Sequence, residues 1–173
     1  MGEATMVQGG YNLQPGAGDA FWFLGECVTI LATSEQTGGA YGLIEDLVAP
    51  GGEPPPHSHA LEDEAFYILA GALSVSCGDR TFAASVGSFV FLPRGVFHSW
   101  RVVGPEPARV LVLFTPGGFE GFFRDGGKPA PSLTPPVLDG PPDMPRVLAL
   151  AAEYGLSVPP LAPPGPGNDV RYP

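Results

Sequence analysis

Between Phe21 and Thr115 the chain is cut by glycines, prolines and polar breaks into short runs, and this punctuation most limits what it can fold into. Residues 21–24, 27–32, 40–48, 64–70, 73–77, 80–84, 88–92, 98–103 and 108–115 are rich in aromatic and β-branched side chains. Runs of this length and spacing predict the strands of an all-β sandwich or barrel. Gly78 and Asp79 stand between two of them and read as a tight hairpin. No long helical period interrupts the region, and the chain has no internal repeat, so a single barrel is expected.

The texture changes near residue 117. Residues 127–173 hold 13 of the 22 prolines, which cannot donate to a sheet and which break helices. Two helical islands are expected, at 117–127 and 143–155, the second with Asp143 as N-cap and Gly155 as stop. Phe119, Phe122 and Phe123 fall at i, i+3 and i+4, and Val147, Leu148 and Leu150 mark a second apolar stripe. We expect one or both helices to cover an open end or a flank of the barrel. The tail from 159 to 173 reads as extended or poorly ordered. The expected organisation is an N-terminal segment over 1–20, a β-barrel over 21–116 and a Pro-rich extension with short helices over 117–173.

Charge and composition narrow the function classes. The formal net charge of -10 disfavours nucleic acid and anionic membrane, because phosphate binding needs clustered Lys and Arg. An apolar fraction of 44% over 173 residues fits one folded domain. No apolar run approaches the ~18 residues of a membrane span. No secretory signal is visible at the N-terminus, and two cysteines, Cys27 and Cys77, make no disulfide framework, so a cytoplasmic setting is expected.

The chain has three histidines, and two of them, His57 and His59, sit in "PPPHSHALEDE". Residues two apart on a strand point the same way, with Cα atoms ~7 Å apart, so both can reach one ion. Glu64 opens the next β run and can return a carboxylate to the same point; Glu62 is the rival. His98 opens a distant strand after a Pro93–Gly95 turn, and a closed sheet can bring it opposite. An HxH pair alone is more often a surface turn than a metal site. Three imidazoles and a carboxylate together suit a divalent transition metal (Ni, Fe, Mn, Co, Cu or Zn) better than Mg or Ca. With every histidine committed there, no Ser-His-Asp arrangement is available.

Two glycine-bounded blocks carry a resemblance. In the first, Gly51, five residues, His57-x-His59, four residues, Glu64, six residues and Gly71 follow in order. In the second, Gly87, five residues, Pro93-x-Gly95, two residues and His98 do. These resemble the paired motifs of the cupin superfamily, departing only at Val102, where the family pattern has Asn at a position that is not a ligand. The fifteen residues between the blocks, 72 to 86, match the short spacing of single-domain cupins. The resemblance implies a jelly-roll-like double-sheet β-barrel, one divalent metal held by His57, His59, Glu64 and His98, and commonly a homodimer.

Within that superfamily the chain resembles the quercetin dioxygenase-like (quercetinase-like) branch. That implies O2-dependent cleavage of a flavonol or another enolic aromatic small molecule with release of carbon monoxide, Glu64 serving also as catalytic base. A non-oxidative metal cupin, such as an isomerase or polyketide cyclase, and a non-catalytic binding cupin are the alternatives. Strand parity extends the expected pocket. Glu64 inward puts Phe66 and Ile68 inward; His98 inward does the same for Trp100 and Val102; Phe89 and Phe91, or Tyr41 and Leu43, are further candidates. For each residue singly, ordinary barrel core is the competing reading.

Overall fold

The computed structural model describes residues 9–138 and 140–159. In chain order the elements are β1 (Asp19–Phe23), β2 (Glu26–Ala32), α1 (Ser34–Thr37), β3 (Gly42–Val48), β4 (Ser58–His59), β5 (Asp63–Ala70), β6 (Ala72–Cys77), β7 (Arg80–Ser85), β8 (Phe89–Leu92), β9 (His98–Val102), β10 (Ala108–Thr115), α2 (Glu120–Gly126), β11 (Lys128–Pro129), α3 (Met144–Glu153) and β12 (Leu156–Ser157). All nine expected runs are strands, with ends moved by at most two residues. The expected tail, beyond Pro159, lies outside the described residues.

Seven strands form one antiparallel sheet in the order β11-β1-β2-β3-β10-β5-β8. Opposite it lie β7-β6-β9 and the short pair β12-β4. His57 and His98 exchange backbone hydrogen bonds of 2.9 and 2.8 Å, which ties β4 to β9 and makes these two pieces one face. The architecture is the expected all-β cupin fold. Alternation explains the core. In β3 and β10 every second residue is buried, and Ile44, Val48, Val110, Val112 and Phe114 point into the barrel with Phe66 and Ile68 of β5. The strand β2 is buried on both faces. Its outer side lies under the segment after β11, where Trp22 donates to Thr134 O at 2.8 Å and Cys27 approaches Ser132 O at 3.7 Å.

Turn chemistry sets the corners. Cys77 pairs with Arg80, leaving Gly78 and Asp79 as the two-residue hairpin. Gly71 joins β5 to β6 at φ 72°, and a Cβ there would meet Ala108 Cα at 2.9 Å. Only glycine satisfies both conditions.

Helices were expected only after the barrel, and α1 corrects this. Thr33 accepts from Gln36 N, Gln36 accepts from Thr33 N, and Gly38 closes the turn at φ 63°. A single turn is shorter than any helical period, so only its capping box could have signalled it. The extension is woven into the barrel. Phe21 pairs with Pro129, and Leu156 pairs with His59 itself. Asp143 caps α3 by accepting from Arg146 N at 3.2 Å. No helix among the described residues is long and apolar enough to cross a membrane.

Candidate metal centre

Four side chains from three parts of the chain meet inside the barrel. One ligand-capable atom from each of His57, His59, Glu64 and His98 lies within 4.8 Å of the other three, and all four residues are buried. The elements account for this convergence. His57 and His59 flank Ser58 on the same face of β4. The backbone pairing of His57 with His98 puts those two rings side by side. Glu64 is reached across the sheet sandwich, on β5, in the row it shares with Phe114 and Leu92. Gly95 makes the β8–β9 turn at φ 75°, and its N–H donates to His59 O at 2.7 Å, fixing β4 against the turn that delivers His98.

The ring orientations follow from what lies behind them. His57 Nδ1 donates to Pro55 O at 2.9 Å and His98 Nδ1 to Val96 O at 3.1 Å. A carbonyl only accepts, so the proton of each neutral ring is on Nδ1 and the Nε2 lone pair points inward. Those two Nε2 atoms are 3.2 Å apart, and His98 Nε2 is 3.1 Å from Glu64 Oε2. Lone pairs at this distance repel unless a cation sits between them. His59 Nε2 lies 3.7 Å from the same Glu64 oxygen. His59 Nε2 and Glu64 Oε2 are buried without a hydrogen-bond partner, which a native interior does not tolerate unless another group completes the site. The donor set, the inward lone pairs and the orphaned atoms fit a divalent transition metal.

Protonation states agree. Burial pushes the His57 ring down to about 4, the charged Glu64 opposing only in part, so the ring is neutral at neutral pH. Burial works to raise the Glu64 carboxyl, but the three imidazoles around it, His98 first, outweigh this and hold it below its ordinary value. Glu64 therefore keeps its charge. Glu62, the rival carboxylate, stands outside the cluster, behind His59, with Oε2 3.7 Å from Nδ1. It faces the back of the ring, where it can orient it.

The cluster forms part of the wall of an open cavity. Phe66 and Trp100 line it, with ring centroids 6.0 Å apart at 83°. The other pocket candidates lie elsewhere. Ile68 is buried in the core but does not line the cavity, and Val102 likewise packs beside Leu73. Phe91 is 53% exposed, because β8 pairs with β5 so that Phe91 sits opposite Ala65 on the outer face while Val90 and Leu92 point in. Tyr41 is 40% exposed, because β3 has the phase that turns Ile44, Asp46 and Val48 inward.

The extension closes over this cavity. Phe119, Phe122 and Phe123 line it together with Val147, Leu148 and Ala151 of α3, and the Phe119 ring meets His59 edge-on at 4.3 Å between centroids. Glu120, itself buried, seats α2 by accepting from Ser34 N at 2.5 Å and Gly118 N at 2.8 Å. Among the cavity residues not foreseen from the sequence, two are acidic, Glu26 on β2 and Asp46 on β3. Both occupy positions where alternation calls for apolar side chains, so no periodic signal could have found them.

Residues 45–114 match the family model described as Cupin domain. Quercetin 2,3-dioxygenase of Bacillus subtilis is 29% identical over 119 residues, 69% of this chain and 35% of that protein. Polyketide synthase CurC of Streptomyces cyaneus is 32% identical over 89 residues, 51% of this chain and 54% of that protein. The chain thus spans about a third of the length of the first curated relatives it matches. An RmlC-like cupin from Shewanella frigidimarina superposes with a TM-score of 0.54 at 16% identity, over 66% of this chain and 99% of that one. Two motif blocks and the match over 45–114 agree that this stretch is similar to the Cupin domain family, and the paired sheets share the fold of that neighbour.

Proposed function

We propose that this protein is a metal-dependent dioxygenase that opens a flavonol-like or other enolic aromatic substrate with O2 and releases carbon monoxide. The observation that carries the reading is a charged Glu64 among three inward-facing imidazoles, at the wall of a cavity otherwise lined mainly by aromatic and aliphatic side chains. Among the described lining residues there is no Lys or Arg, so an anionic substrate has no partner there. The similarity to quercetin 2,3-dioxygenase over 69% of the chain supports the same class.

When bound at His57, His59, Glu64 and His98, a divalent metal supplies a Lewis acid for the substrate enolate and a redox-capable centre for O2. Glu64 accepts the proton of the substrate hydroxyl at a carboxylate oxygen, which requires only hydrogen-bond reach. Phe66, Trp100, Phe114 and Phe119 offer faces and edges to a flat ring. The helices α2 and α3 keep bulk water from the reacting atoms.

The similarity to a polyketide synthase supports a second reading, Lewis-acid cyclisation without O2. One experiment separates them. Protein from its native host is analysed for metal and screened against flavonols and other polyphenols in an oxygen electrode. Oxygen uptake in step with substrate loss supports the dioxygenase; equal turnover under anaerobic conditions overturns it in favour of the second reading.

A further inference from the structure

Glu26 and Asp46 stand on neighbouring strands of the barrel wall, with Asp46 opposite Val28, two residues from Glu26. They are 5% and 4% exposed, and both line the same cavity as the metal cluster. Neither has an ion-pair partner among the described residues, and Asp46 Oδ1 is buried with no hydrogen-bond partner. Two carboxyl groups at adjoining inward positions, without a cation, are costly in a barrel core where valine or isoleucine would pack.

We propose that Glu26 and Asp46 form a second polar anchor that binds hydroxyl groups of a polyhydroxylated, uncharged aromatic substrate whose enol lies at Glu64. This rests on the function proposed above and specifies its substrate. On the sheet, β10 separates β3 from the β5 strand that carries Glu64, and Ile44, Val112 and Phe66 line the cavity between them. A planar ring system lies across that apolar stretch with a hydroxyl at each end. Burial raises both groups well above the usual carboxylate range, helped by the charges of Asp46 and then Glu64 at Glu26 and by that of Glu64 at Asp46. A carboxyl group can donate to or accept from a phenolic hydroxyl, whereas a charged ligand group finds no Lys or Arg among the described lining residues. The anchor is a specificity element, and no bond is made or broken there.

The test measures the affinities of metal-loaded protein for quercetin and for 3-hydroxyflavone, which keeps the enol but lacks the other hydroxyls. Fluorescence titration under anaerobic conditions reads binding, and metal content is measured alongside. The unaltered protein should prefer quercetin by about tenfold or more, the contribution of one or two satisfied buried hydrogen bonds. In Glu26→Leu and Asp46→Leu proteins that ratio should fall towards one with metal content retained. Glu26→Gln and Asp46→Asn, close in shape, guard against misfolding and should give an intermediate ratio. A ratio that stays unchanged in all four variants overturns the anchor while leaving the dioxygenase reading in place. Failure of both flavonols to bind the unaltered protein overturns the anchor together with the flavonol form of that reading, and leaves oxygen uptake with other enolic aromatics to decide the rest.

Discussion

At the scale of single residues, the cluster and its supports behave differently. His57→Ala or His98→Ala removes an inward Nε2 and should abolish metal retention, as should Glu64→Ala, measured by elemental analysis after gel filtration. Glu62→Ala only frees the back of His59, and such outer partners change metal affinity by roughly 10–100-fold. A Glu62→Ala protein that loses its metal while Glu64→Ala keeps it would reverse the assignment. Arg94, in the turn before His98, donates its backbone N–H and its Nε and Nη2 to Asp63, at 2.7–3.1 Å, and Nη2 also reaches Thr115 O at 3.2 Å. Those hydrogen bonds, the side-chain pair first, hold the Asp63 carboxyl down to about 2. A depressed carboxyl stabilises the fold above its unfolded value, near 4, and that stabilisation is lost as pH falls towards 2. Arg94→Ala should therefore flatten the dependence of melting temperature on pH between about 4 and 2. An unchanged slope shows that the exposed pair contributes nothing.

At the scale of elements, α2 depends on one buried carboxylate. Glu120 joins the N-terminus of α1 to the turn before α2 and packs against Gly42, where any Cβ would collide with it. Glu120→Ala leaves two backbone N–H groups without their acceptor, at about 1–3 kcal/mol. Chemical denaturation should show a loss of that size, and Phe119, no longer held, should let solvent reach His59. Full stability in the variant places the support of α2 in its aromatic packing alone, where Phe23 meets Phe122 at 4.9 Å and Phe123 at 5.7 Å.

For the whole molecule, the extension and the barrel act as one unit. Truncation after Gly118 removes the β11 edge, the β12 pairing on His59, and both covering helices. It also bares Phe23 and Phe114, now buried. The shortened protein should bind a hydrophobic dye, retain metal poorly and lose substrate turnover. A truncated protein that keeps fold, metal and full activity shows that the helices are neither cover nor support.

The sequence by itself determined the strands, the hairpin at Gly78 and Asp79, and the four residues that could share an ion. Those signals are local: alternation, turn chemistry and the fixed spacings around His57, His59, Glu64 and His98. It also placed the three phenylalanines of α2 on one stripe. Only the tertiary structure decided which face each strand turns inward. The pairing of β8 with β5 sends Phe91 outward, and the phase of β3 sends Tyr41 outward and Asp46 in. Parity within a strand is legible from sequence, but its phase is set by partners distant in the chain. The same holds for Glu26 and Asp46, whose carboxyls read as solvent-facing until the barrel closes around them. It holds also for β4, β11 and β12, strands of two residues each that exist only because a neighbour offers them hydrogen bonds.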